Sequence, residues 1–148
     1  YASAGQHQDA GCKAIHLGKY TKSRIVSKSI SKDGGRTTFR AQIKISDKAE
    51  NARVDSQCDA LILDSKSKSD TIPLVQIMNS QSEVKHEATT GKIDEEKLFY
   101  LMSRGLTEKD AKTLIVLGFL SPVAKTLPLE YAVELNRLID MEMEGSVG

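Results

Sequence analysis

Hydrophobic and polar positions alternate with a period of two through much of the chain up to residue 92. Phe39, Ala41, Ile43 and Ile45 alternate with Arg40, Gln42, Lys44 and Ser46, the pattern of a strand with one buried face. Val54, Ser56, Cys58, Ala60 and Ile62 repeat it, and Leu61 and Leu63 cover part of the opposite face. Residues 14–17, 24–30, 72–78 and 83–89 read as further strands. Turn signals separate them at Gly18, Asp33-Gly34-Gly35, Ser46-Asp47, the polar run 64–70 and Asn79-Ser80. No helical segment lies between these strands, which excludes βαβ units. A sandwich, a barrel and a β-solenoid all remain open. No crisp internal repeat is visible, which counts against a regular solenoid.

After residue 92 the period changes to that of a helix. Leu98, Leu101 and Met102 form one stripe over 94–104, and Gly105 can end that helix. Thr107-Glu108-Lys109-Asp110 resembles a capping box, with Asp in place of the longer Glu. The helix it opens carries Leu114, Ile115 and Leu117 and is expected to end about Ser121-Pro122. A third helix starts at Pro128, a favoured first-turn residue. It places Ala132, Leu135 and Ile139 on one face and ends near Gly145. The expected organisation is a β domain over 1–92 and a small helical domain over 93–148.

Composition narrows the function classes. The 148 residues include 21 Lys+Arg and 20 Asp+Glu, a net charge of +1, and aromatic residues are few. Nucleic-acid binding has neither its basic footprint nor its stacking platform here. The apolar run 114–120 is too short to span a bilayer. Cys12 and Cys58 do not make a disulfide framework, and no CxxC pair exists, so a reducing cytoplasmic setting is expected. The chain opens Tyr1-Ala2-Ser3-Ala4-Gly5, with neither Met nor a recognisable leader. It is read as a fragment or a processed product.

Enzyme motifs are missing. Gly91-Lys92 lacks the upstream glycine of a nucleotide-binding P-loop and is followed by Ile93. No G-x-S-x-G elbow occurs. His86-Glu87 begins like a zinc-protease helix, but Thr90 stands where the second His is required. The expectation is a protein that is not an enzyme.

The side chains that could carry chemistry are Cys58, His86 and Glu87, with Cys12 and His16 further off. A Cys58 thiolate is a soft ligand suited to iron–sulfur chemistry. His86 and Glu87 offer imidazole and carboxylate. A plainer reading stands beside this one. Cys58 shares parity with Val54 and Ala60 and fits the core as a small hydrophobe. His86 shares parity with Val84 and Ala88 and fits as a satisfied core histidine. Adjacent strand residues point to opposite faces, so His86 and Glu87 line one pocket only if the strand bends or bulges.

Several stretches together resemble the SufB/SufD family of iron–sulfur assembly proteins. They are Lys13-Ala14-Ile15-His16-Leu17-Gly18-Lys19, Gln57-Cys58-Asp59, His86-Glu87-Ala88-Thr89-Thr90, Leu98-Phe99-Tyr100, Arg104-Gly105 and the closing Glu144-Gly145-Ser146-Val147-Gly148. The resemblance runs from about residue 8 to the end. It implies a right-handed parallel β-helix followed by a C-terminal helical domain, belonging to a longer protein. It also implies a scaffold that accepts sulfur and iron and holds a transient iron–sulfur cluster on the assembled complex, a cluster not expected on the isolated fragment. The family's functional Cys falls on Cys58 and its carboxylate ligand on Glu87, with His86 in the same motif. The implied partners are a SufC-type ATPase docking on the helical domain, a SufD-like or second SufB-like chain, and a sulfur donor. Gln57-Cys58-Asp59 and His86-Glu87 favour the SufB branch. Lys85, where many bacterial relatives carry Glu, and the stretch 98–105 depart from it. The alternative is a SufD-like interaction module that dimerises and docks the ATPase without holding a cluster.

Overall fold

The computed structural model describes residues 1–144. The chain divides into two compact units, the first Tyr1–Lys92 and the second beginning at Ile93. The first holds six ten-residue strands, β1 (His7–His16), β2 (Lys22–Ser31), β3 (Arg36–Ile45), β4 (Arg53–Ile62), β5 (Lys68–Ile77) and β6 (Glu83–Lys92). They form two three-stranded sheets, ordered β1-β3-β5 and β2-β4-β6. Every pairing is parallel. Consecutive strands therefore belong to different sheets, and each pair of strands makes one coil of a parallel β-helix.

The coils are regular although the sequence shows no repeat. His7 pairs with Arg36 and Lys22 with Arg53, then Arg36 with Lys68 and Arg53 with Glu83, offsets of 29, 31, 32 and 30 residues. What recurs is parity rather than residue identity. One inward rung runs Cys12–Ala41–Pro73, another Ala14–Ile43–Val75. Because residue identities do not recur from coil to coil, the sequence carries no visible repeat. The strands are also longer than their alternating cores. β1 begins at His7, although residues 7–11 are exposed and polar or small, because ladder hydrogen bonds need only backbone.

The interior has an apolar end and a polar end. Ile43, Ile45, Ala49, Ala52 and Val54 form the buried cluster, with Ile25 and Val84 packed against it. At the other end Ser31 Oγ lies 3.0 Å from Thr37 Oγ1, and Thr37 donates to Ser69 Oγ at 3.0 Å. Ser23 Oγ and His16 Nε2, 2.8 Å apart, join the two sheets at the apolar end. These contacts fix which rungs face each other. The rung Ser27–Cys58–Ala88 faces the rung Cys12–Ala41–Pro73.

Stacked turns hold the coils at one edge. Asp64 accepts the N–H groups of Asp33, Lys66 and Ser67 and the Ser67 hydroxyl. Asp33 and Gly34 both have positive φ, 54° and 85°. Gly35 is required by contact: a Cβ there would sit 2.4 Å from the Ala2 carbonyl oxygen. Burial alone would raise the Asp64 carboxyl, but the hydrogen bonds from Ser67 and the three N–H groups outweigh it and hold the carboxyl below its ordinary range. Its stabilising contribution is thus complete above about pH 4 and disappears as pH falls through the lowered folded value. Asp64→Ala is expected to cost about 1–2 kcal/mol at neutral pH. It is also expected to flatten the acid side of the stability curve, read by urea unfolding at several pH values.

The second unit holds α1 (Glu95–Ser103), α2 (Glu108–Ala124) and α3 (Leu129–Glu144). Asp94 caps α1 through the N–H groups of Glu96 and Lys97. Thr107 caps α2 by accepting the Asp110 N–H, and its hydroxyl donates to the Asp110 carboxylate at 2.6 Å. The short Asp side chain thus closes the box on the hydroxyl. One expectation is corrected: α2 does not end at Ser121-Pro122 but continues to Ala124, with Pro122 inside it. Pro122 removes the bond to Gly118. Gly118, whose carbonyl loses that partner, is exposed. The expected end of the third helix near Gly145, and the closing motif from that residue on, lie outside the described residues. No helix of the described residues is long and apolar enough to cross a membrane.

Candidate functional site

Cys58 lies in the middle of β4 on its inward face, with Val54, Ser56 and Ala60. It is 3% exposed. Across the ladder it pairs with Ser27 of β2 and Ala88 of β6. One rung away, Ser56 pairs with His86. Ser56 is fully buried. Its Oγ lies 4.0 Å from Cys58 Sγ and 3.2 Å from His86 Nδ1. One hydroxyl therefore connects the thiol to the imidazole. The pattern of alternation puts all three on one face, but the link through Ser56 depends on the register of β4 against β6. Sequence reading treated Ser56 only as one step of an alternating strand. Its polarity on an otherwise small and apolar face was the available signal.

Burial pushes the Cys58 thiol above its ordinary value, opposed by the hydrogen bond with Ser56 and reinforced by Cys12 and Asp59. In the closed chain Cys58 is therefore held as a neutral thiol, since low-pKa thiolates need cationic or exposed surroundings. The rung does open toward β6, the edge strand, where Ala88 is exposed.

Glu87 is placed elsewhere. It pairs with Gln57 on the outer face of the same sheet. Its carboxylate binds Lys85 at 2.8 Å, both side chains being more than half exposed, and that contact raises the Lys85 ammonium. The strand neither bends nor bulges between His86 and Glu87, so the two side chains diverge as strand geometry requires. The structure brings together Cys58 and His86 and leaves Glu87 on the opposite face. Among the described residues no group of three His, Cys, Asp or Glu side chains is gathered as a metal site.

The remaining candidates resolve simply. His16 is buried, and its ring nitrogens meet Thr21 Oγ1 and Ser23 Oγ, a satisfied core histidine. Cys12 is partly buried on the inward face of β1, and burial raises its thiol. It faces the Cys58 rung across the interior.

Comparison with known proteins places the chain in a family. The family described as "SUF system FeS cluster assembly, SufBD core domain" matches residues 1–119. The chain belongs to the SufBD family. It is 57% identical over 147 residues to the iron–sulfur cluster assembly protein SufB of Bacillus subtilis, covering 99% of this chain and 32% of that protein. It is 54% identical over 148 residues to an iron–sulfur cluster assembly SufBD family protein of Staphylococcus saprophyticus, and equally to one of Staphylococcus aureus strain USA300, covering all of this chain and 32% of each. The chain thus spans about a third of the length of these SufBD relatives.

Proposed function

We propose that this chain is the portion of an iron–sulfur assembly scaffold that presents Cys58 to incoming sulfur or iron. The observation that carries the reading is the Ser56 hydroxyl between Cys58 and His86 on adjacent inward rungs. A thiol and an imidazole so placed can act on one ligand. The Cys58 sulfur takes the terminal sulfur of a donor persulfide while its proton passes to the departing donor sulfur, so the donor leaves as a thiol with no net oxidation. Iron bound at Cys58 and His86 has an incomplete ligand set, whereas stable clusters generally take four thiolates. Weak holding suits a protein that hands its cluster on. Glu87, exposed on the edge strand β6, is available to complete the set only from the outer face or toward an adjoining chain. The function is carried by ligands rather than by catalysis, in the cytoplasm. Nucleotide hydrolysis falls to a SufC-type ATPase on the helical unit, and a SufD-like or second SufB-like chain closes the site.

The divergence of Glu87 from Cys58 favours a second reading, in which the chain only dimerises and docks the ATPase. Anaerobic reconstitution of the full-length protein with iron and sulfide decides between them. Cluster absorbance is expected; a colourless wild-type complex would leave only the interaction module. Ser56→Ala tests the geometry. Loss of an orienting partner is expected to lower iron affinity about 10- to 100-fold, measured by iron titration, with the chain still folded.

A further inference from the structure

The segment around Cys58 carries two outward side chains, Gln57 and Asp59, that the proposed site does not use. Asp59 Oδ2 accepts Lys28 Nζ at 2.9 Å and Gln57 Nε2 at 3.0 Å. Lys28 and Asp59 are register partners across β2 and β4, directly behind the Ser27–Cys58 rung. Their side chains are only 11% and 15% exposed, although they lie on the outer face. The Lys85–Glu87 pair on the same face is 63% and 57% exposed.

That difference decides what the two pairs do. An exposed ion pair contributes little. A covered pair constrains its strands because separating the partners strands a desolvated charge. Register matters at Cys58 above all. A slip of one residue between β4 and β2 would turn Cys58 out of the interior and Gln57 into it. The inward contacts of Cys58 resist this poorly, since its rung neighbours Ser27 and Ala88 are small.

We infer that Lys28, Asp59 and Gln57 form an outer-face clamp that fixes β4 against β2 and so keeps the Cys58 thiol inside the coil. They are positioning residues and not ligands. The clamp gains its functional meaning from the scaffold reading, but its structural claim stands separately.

The test uses the full-length protein and two thiols. N-ethylmaleimide labelling of Cys58 and Cys12 is followed by mass spectrometry, with Cys12 on the facing sheet as internal reference. Asp59→Ala is expected to raise the Cys58 rate about tenfold while Cys12 stays within about twofold. Asp59→Asn, which can still accept from Lys28 and Gln57 but leaves the covered ammonium without its counter-charge, is expected to fall between wild type and Asp59→Ala. The exchange Lys28→Asp with Asp59→Lys is expected to restore the wild-type ratio. Equal acceleration of both thiols would mean general loosening and overturn the clamp. So would an unchanged Cys58, or an Asp59→Asn protein as fast as Asp59→Ala. Should Asp59→Ala fail to fold, Gln57→Ala carries the test: a raised Cys58-to-Cys12 ratio supports the clamp, and an unchanged one ends it. If Cys58→Ala still supports a cluster while the labelling ratios hold, the scaffold reading falls and the clamp survives.

Discussion

Cys58→Ala in the full-length protein is expected to lose its reconstituted cluster, while Cys12→Ala keeps it. The two cysteines make a matched pair for this purpose. Both face the interior, both thiols are raised by burial, and their rungs oppose each other. Only Cys58 has a hydroxyl-linked imidazole. If a thiol inside the coil were enough, either removal would give the same partial loss. If the Ser56–His86 arrangement is what matters, the loss is confined to Cys58. The structural cost of the change is small, because Cys→Ala removes one buried atom from a rung already lined by Ser and Ala. Iron and sulfide content together with the visible spectrum provide the measurement. Wild-type cluster content in the Cys58→Ala protein would end the scaffold reading.

Ile43→Ala is expected to give the largest stability loss of any single change considered, about 2–5 kcal/mol. Ile43 is fully buried in the cluster with Ile45, Ala49, Ala52 and Val54. It lies on β3, the central strand of its sheet, so neighbouring coils limit collapse around the cavity. A domain of ordinary stability, about 5–15 kcal/mol, loses a large fraction of it. Leu74→Ala is the contrast. Leu74 projects from the outer face of β5 and is 50% exposed, and its loss is expected to stay within about 0.5 kcal/mol. Urea unfolding midpoints of the two variants separate these outcomes. Equal shifts would mean that the Ile43 cluster is not the core that holds the coil.

Cys58 and His86 show how far residue pattern carries the site. Parity with Val54 and Ala60 pointed Cys58 inward, and parity with Val84 did the same for His86, as the structure shows. The same argument set Glu87 on the other face. None of this indicated that β4 and β6 are adjacent, because Cys58 and His86 lie 28 positions apart with another strand between them. Ser56 was therefore invisible as the link. Lys28 and Asp59 were equally hidden, being ordinary surface charges until β2 and β4 are paired.

By itself the sequence determined the alternation of strands, the change to helix near residue 92, and the faces of the side chains in the middle of β3, β4 and β6, since these follow from local sterics and side-chain period. Only the tertiary structure decided that successive strands alternate between two sheets, that the coil advances by about 30 residues, and that Ser56 links Cys58 to His86. Those facts depend on pairing between residues far apart in the chain. A period-two pattern fixes the face of a side chain and contains nothing about its neighbour across the ladder.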